Sequence, residues 1–444
     1  MRPTDLPPSL VLRHPLGRWV EPAQAWASLL TDEPNSFWLD SGQNSGVSYL
    51  GAGSRVIGGP GVFDALRESL SENRLADDTG SGFSLGWVGW LGYELRESTI
   101  GTPVTRASRY PVSALMYADR ALAFDHDRRE VTLLALGGSW EGELDDWRQA
   151  TVAALARNLP LPVHVPADAD TTWADSDDRY LALIADCQAA IHAGEAYQLC
   201  LTTEAGVDVR PDPFAAYLAL RASSPAHHGG LIRVGGVALL SASPEQFLTV
   251  TPGGVVESKP IKGTRARGTT PAEDTALRAE LLASDKELAE NLMIVDLMRN
   301  DIGRVSEIGS VTVPSLFKVE SYPQVHQLVS TVRGRLSPGL DAVDAVVACF
   351  PAGSMTGAPK RNATLLLDGL ENRARGIYAG AFGYFGLDGR VDLAMVIRSI
   401  VIDGEGATVG AGGGITALSA PFEELAEVKL KAAALLAVLT TRAS

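Results

Sequence analysis

Apolar and polar positions alternate differently in the two halves of the chain. Up to residue 157, short runs with the two-residue period of strands recur between glycine and proline breaks: "SFWLDSG", "GFSLGWVGWLGYEL" and "ALMYADRALAFDHDRREVTLLAL". "WEGELDDWRQATVAALARNL" then carries helical spacing. From Pro160 to about Asp178 the pattern fades into a stretch rich in Pro, Asp and Thr, the best linker in the chain. The expected organisation is a β-rich region over 1–158, a linker over 159–178 and a second region over 179–444, with the two regions interlocked as one unit.

In the second region, "DRYLALIADCQAAIHAGEAYQL" reads as an amphipathic helix running into a strand. "LIRVGGVALLSASPEQFLTVT" reads as strands, and "FLTVTPGGVVESKP" as a strand pair joined by a Pro-Gly-Gly turn. The spacing predicts one long helix over "PAEDTALRAELLASDKELAENLMIVDLMRNDIG", with Pro271 in its first turn. Strands at "GAFGYFGLDGRVDLAMVIRSIVI" and "ATVGAGGGITA" precede a closing helix, "PFEELAEVKLKAAALLAVLTTR". Strands outnumber helices and Gly turns join several of them, which predicts an α+β fold with large antiparallel sheets.

Composition narrows the partners. Of 444 residues, 45% are hydrophobic and 20% charged, and the formal net charge is −15. That field argues against nucleic acid or an anionic membrane as partner, and a small anionic substrate would need local positive charge. Three scattered cysteines, Cys187, Cys200 and Cys349, cannot all pair and lack metal-ligand spacing. With no apolar leader and no run long enough to span a bilayer, the expectation is a soluble, cytoplasmic protein.

Several residue groups carry chemistry. Lys262, in "KPIKGTRARG", sits at a predicted strand end between an apolar residue and a Gly-Thr pair, as a turn anchor or a functional amine. Glu287 and Glu290 share a helix face, and Glu424 and Glu427 repeat the spacing. Each pair alone suits a solvated face, whereas both together across a cleft would suit Mg²⁺. "VGAGGGI" reads as a Gly-rich turn whose amides suit a carboxylate, and no helix follows closely enough for a dinucleotide fingerprint. "GSMTGAPK" lacks the ending of a phosphate-binding loop. Arg398, a charge inside an apolar β-run, is either a structural ion pair or a carboxylate anchor.

Together, "SASPEQFL", "KPIKGTRARG", "KELAENLMIVDLMRNDIGR", "LVSTVRG", "PAGSMTGAPK", "RGIYAGAFGYF", "VIRSIVI", "GAGGGI" and "EELAEVKLKA" resemble, in order, the chorismate-utilising enzymes over about 180–440. The resemblance implies the anthranilate synthase component I fold, two large antiparallel sheets packed as a sandwich with helices outside. The looser N-terminal match favours the amidotransferase-linked members. It also implies Mg²⁺ held by Glu290 and Glu427, with Glu287 and Glu424 beside them. Arg398, Tyr378 and the amides of Gly412 and Gly414 match the grip on a substrate carboxylate, and Thr264, Ser354 and Lys431 match further substrate contacts. "FWLDSG" resembles the segment that holds tryptophan in relatives, implying a tryptophan site in the N-terminal region.

Two positions separate members of the family. Gln198, in "AYQLCLT", stands where water-adding relatives place a lysine base, and glutamine cannot do that proton transfer. Lys262 stands where anthranilate synthases usually have alanine, the pattern of aminodeoxychorismate synthase component I. The resemblance then implies that chorismate and ammonia give 4-amino-4-deoxychorismate through a covalent Lys262 intermediate, on the route to 4-aminobenzoate and folate. Glu245 would protonate the leaving hydroxyl, and a separate glutamine amidotransferase subunit would supply ammonia. Anthranilate synthase component I is the alternative enzyme, and a non-catalytic binding subunit the alternative class. Gln327 departs from the family's usual histidine, and His326 beside it faces the other way along a strand.

Overall fold

A strand apolar on both faces needs partners above and below, and here those partners come from both ends of the chain. The computed structural model describes residues 10–42, 45–75, 82–322 and 325–442. Residues 1–9, at the start of the predicted N-terminal region, lie outside the described residues. Among the described residues the strands form one twelve-stranded and one ten-stranded sheet, and every strand pairing within them is antiparallel.

The larger sheet runs Leu10–Pro15, Glu130–Gly137, Arg120–Asp125, Val47–Ala52, Ser36–Asp40, His228–Val234, Val237–Ser243 and Ser399–Asp403. It continues through β5 (Gly406–Ile415), β1 (Gln198–Val207) and Gly357–Ala358, with Thr171–Trp173 also pairing β1. The smaller sheet runs β2 (Ile261–Ala266), β4 (Val325–Arg335), Val255–Ser258, Gln246–Val250, Val391–Met395, Ala381–Gly386, Gly86–Leu91, Ser113–Ala118 and Val56–Gly58. Its remaining strand, β3 (Thr312–Ser321), also pairs β4. Both sheets therefore contain strands from before and after residues 159–178. That stretch itself is tied down, with Ala167 bridging Thr440 and Thr171–Trp173 in the sheet.

The sheets face each other across a core that includes Phe37 and Ile232 from one and Trp90 and Phe382 from the other. Side-chain alternation sorts β1: Leu199 and Leu201 pack with Val428 and Leu435 of the closing helix, α3 (Pro421–Leu439). Cys200 points the other way, into a core with Phe247, Ile294 and Tyr378, and Gln198 shares its parity. Helices cover the outer faces, which is the α+β sandwich expected from the sequence.

The predicted long helix is two. Pro271–Ala283 ends at Ser284, whose hydroxyl caps α1 (Asp285–Gly303) by accepting the Glu287 N–H at 3.4 Å. Such a cap is worth about 1 kcal/mol, enough to fix a new start inside a continuous helical pattern. Among the described residues, no helix is long and apolar enough to cross a membrane.

Candidate active site

A β-bulge aims Lys262. Pairing between β2 and β4 slips between Ile261↔Val329 and Thr264↔Gln327, leaving Lys262 and Gly263 opposite Leu328 alone. Gly263 takes φ +85°, a conformation that strains any side chain. A Cβ there would also stand 2.7 Å from the Glu287 carboxylate. The glycine after the lysine thus serves both the bulge and its neighbour. Lys262 Nζ lies 3.9 Å from Glu290 Oε2, with side chains 17% and 15% exposed.

Glu287 and Glu424 sit in the first turns of their helices, where the dipole favours anions, and Glu290 and Glu427 follow one turn further in. Every one has a cation: Lys262 beside Glu290, Arg265 3.3 Å from Glu287, Lys286 3.6 Å from Glu424 and Lys431 2.7 Å from Glu427. All four also bear on Lys286. Burial opposes its charge, yet Glu424, Glu290, Glu427 and Glu287 together raise its pKa. Burial raises the Glu290 pKa against the pull of Lys262 and Lys286. For Glu427, burial acts upward, but Lys431 leads the cations that hold it below the ordinary value.

Among the described residues, no three acidic or histidine side chains converge closely enough to form a ready metal cage. The donor set still fits a hard divalent cation: four carboxylates from two helix starts act on one ammonium. Glu424, buried and accepting from Ser419 at 2.8 Å, leans over Gly413, where a Cβ would stand 3.1 Å from its Oε2.

Beside these groups opens a cavity of about 450 Å³ whose wall includes Thr264, Gln327, Arg398 and Lys431. Its volume suits a small organic ligand. Arg398 departs from the sequence reading, since it lies in a bend between Val391–Met395 and Ser399–Asp403 rather than inside a strand. It takes φ +50°, strain of the kind that collects at functional sites. Its side chain is exposed to the cavity and, among the described residues, has no hydrogen-bond or ion-pair partner. No structural ion pair is therefore seen for it among the described residues, and the side chain is available to a ligand in the cavity.

The glycine-rich "VGAGGGI" is also corrected: it is strand interior, not a turn. Its pairing with Ser399–Asp403 stops at Ile400↔Val409, so among the described residues Gly410–Ile415 has no strand on that side to take up its outward main-chain groups. Close packing explains the glycines. A Cβ at Gly410 would meet the Tyr378 ring at 2.2 Å, and one at Gly414 would meet Gln198 Nε2 at 2.2 Å. Lys431 donates to Gly412 O at 2.9 Å as well as pairing with Glu427, so it joins the cavity to the carboxylates.

Glu245 follows Pro244 in the short link between Val237–Ser243 and Gln246–Val250, and is buried. Burial pushes its pKa up to about 7, opposed by Lys262, a hydrogen bond from Ser354 and the Ile261 N–H. Ser354 sits in a single 3₁₀ turn, Gly353–Met355. Glu245 and Ser354 are not on the large cavity's wall; they share a void of about 10 Å³ with Pro260 and Met395. Lys262 and Tyr378 are likewise off that wall.

Gln198 is fully buried, and among the described residues neither end of its carboxamide has a hydrogen-bond partner. Gln327 opposes Thr264 and faces the cavity, while His326 turns away to Ser321 Oγ at 2.8 Å and Asp274 at 3.0 Å. Sequence reasoning missed Arg265, although it is the third residue beyond Lys262 in the same motif. It also missed Tyr322, which meets His227 at the cavity with ring centroids 4.3 Å apart, and no sequence signal marked that pair.

Similar proteins point the same way. An aminodeoxychorismate synthase from Streptomyces pristinaespiralis is 43% identical, covering 94% of this chain, and the chain spans 63% of that protein's length. Component 1 of anthranilate synthase from Streptomyces coelicolor is 36% identical over 94% of this chain and 86% of its own. Among solved structures, anthranilate synthase component I from Streptococcus pneumoniae TIGR4 superposes with a TM-score of 0.75 at 27% identity, covering 98% of this chain and 94% of that one. The family model described as chorismate binding enzyme matches residues 19–437. With that match running through the bulged lysine, the paired glutamates and the open arginine, the chain belongs to the chorismate binding enzyme family.

Proposed function

We propose that the chain converts chorismate and ammonia to 4-amino-4-deoxychorismate, as an aminodeoxychorismate synthase component I feeding 4-aminobenzoate and folate synthesis. The observation that carries the reading is Lys262, turned by its bulge toward the carboxylate cluster and within electrostatic reach of the buried acid Glu245. Arg398, Thr264 and Lys431 on the cavity wall would take one carboxylate of the dianion, with Tyr378 and the amides of Gly412 and Gly414 behind them.

Glu290 and Glu427 would hold Mg²⁺, with Glu287 and Glu424 beside them. When bound, the metal supplies the positive charge that the other substrate carboxylate needs in a chain of net charge −15. Lys286 then competes for the same carboxylates. For Lys286→Gln, isothermal calorimetry is expected to register Mg²⁺ binding about tenfold tighter, since one repelling charge is gone. Equal or weaker binding would show that Lys286 does not contest the site.

Unprotonated Lys262 attacks C2 of chorismate while the C4 hydroxyl leaves as water with the Glu245 proton, both ring double bonds shifting by one position between them. Ammonia attacks C4 and the lysine departs from C2. The proton lost by the arriving ammonia returns Glu245 to its acid form. That ammonia would come from a separate glutamine amidotransferase subunit. A second cavity of about 360 Å³, lined by Asp40, Ser41, Tyr49 and Asp392, lies at the end of the "FWLDSG" strand and would take tryptophan.

Chorismate, Mg²⁺ and ammonium, with and without a lyase that releases 4-aminobenzoate, test the reading directly. 4-Aminobenzoate is expected only when the lyase is present. Anthranilate without the lyase would overturn the product, and no Mg²⁺-dependent consumption of chorismate would overturn the enzyme. Adding tryptophan to the same assay and to a thermal melt is expected to raise the melting temperature. No shift at millimolar tryptophan would dismiss that site.

A further inference from the structure

A buried guanidinium lies behind the site without touching the cavity. Arg375 grips Glu371, at the end of α2 (Lys360–Glu371), through a two-pronged pair of 2.8 and 2.7 Å, both side chains almost wholly buried. Its remaining reach goes to main chain: Met355 O at 2.6 Å and Cys200 O at 2.8 Å. Glu371 in turn accepts from Thr202 N at 2.9 Å and Thr202 Oγ1 at 3.0 Å. One ion pair therefore ties the Ser354 turn to the β1 end that carries Gln198. The Cys200 N–H closes the same join on Thr356 O at 2.8 Å.

The N-terminal region supplies the other side of this clamp. Tyr93 stacks on the Arg375 guanidinium at 4.3 Å. Glu94 accepts the Arg375 N–H at 2.8 Å and the Gly376 N–H at 3.0 Å, fixing the main chain that leads into Tyr378. Four residues with no place on the cavity wall thus hold Ser354, Gln198 and Tyr378 in one frame, and Ser354 bonds Glu245.

We infer that Arg375 is a positioning residue for the reaction. Held by Glu371, Tyr93 and Glu94, it sets the Ser354 turn against Glu245 through Met355 O, and this is where the N-terminal region enters the chemistry. The inference rests on the proposed function only in that the chain consumes chorismate, so the assay follows chorismate loss whatever product forms. A wrong product assignment leaves the comparison intact.

Removing one charge alone would strand its partner in the interior, so the decisive variant removes both. Glu371→Gln with Arg375→Met keeps an acceptor for Thr202 and leaves neither member of the pair as a stranded charge, while Glu94 keeps its main-chain donors. It is expected to fold, with a cooperative melt, and to lose about a hundredfold in kcat, as a small misplacement of acting groups does. KM for chorismate is expected to stay within about threefold, because Arg398, Thr264 and Lys431 are not part of the clamp. Arg375→Lys, which keeps the charge but not the fork, is expected to recover part of that kcat. A folded double variant with unchanged kcat, or one whose loss lies entirely in KM, overturns the inference. If the double variant does not fold, Glu94→Gln decides: kcat lowered about tenfold at an unchanged melting temperature supports it, and unchanged kcat overturns it.

Discussion

Lys262→Ala is expected to lower 4-amino-4-deoxychorismate formation at least about a thousandfold, a loss of about 4 kcal/mol of transition-state stabilisation, and to turn the residual product toward anthranilate. The direction follows from where the amine sits. The bulge places it beside Glu290, with Glu245 in electrostatic reach, and alanine there leaves C2 open to ammonia itself. Charge and nucleophilicity must be separated, because Lys262 is also the cation that offsets Glu290. Lys262→Arg keeps that charge and cannot form the adduct, so it is expected to be as inactive as alanine. Product analysis by chromatography, with intact-protein mass spectrometry for the lysine adduct, checks both variants. An active arginine variant would sink the covalent role and leave Lys262 a purely electrostatic residue.

How much of this was legible in the sequence depends on the range of each interaction. Helix ends, carboxylate spacing and hairpin turns are local, and the closing helix with Glu424 and Glu427 was read directly. The break at Ser284 was local too: Ser284 and Glu287 stand three apart, as in a capping box, but unbroken helical spacing outweighed it. The bulge at Lys262 was half legible, since a glycine inside a strand pattern signals one, while its register depends on Gln327 and Val329 more than sixty residues on. Arg398 and "VGAGGGI" were misplaced because both are decided by where Ser399–Asp403 stops pairing, an event in the third dimension. The interleaved sheets are the extreme case: Gly86–Leu91 pairs Ala381–Gly386, and nothing near either strand names its partner. The Arg375 clamp was invisible for the same reason, joining the Glu94 carboxylate to the main-chain N–H of residue 375.

Glu245→Gln is expected to lower kcat about a thousandfold, within the range of lost general-acid catalysis, while making the protein more stable at alkaline pH. The two effects share one cause. Burial holds this carboxyl near 7 instead of the ordinary 4.5, so a large share of it still carries its proton near neutral pH and can give it to a leaving hydroxyl. The same shift makes ionisation costly in the fold. With the folded pKa above the unfolded one, the native state binds more protons between about 4.5 and 7, so its stability falls as pH rises through that window. Above pH 7 the full penalty, about 3 kcal/mol, is present. Glutamine removes it. In metal-free buffer, urea melts of the two chains should coincide near pH 4.5 and diverge by up to about 3 kcal/mol at pH 8, the variant being the more stable. The activity of the unaltered chain should fall as pH rises through about 7, because only the protonated carboxyl serves. Gln327, paired with Thr264 across the two strands, has no proton to give, so that limb should follow Glu245. Unchanged stability at pH 8 would mean the carboxyl is not held high, and unchanged kcat would move the proton donor elsewhere.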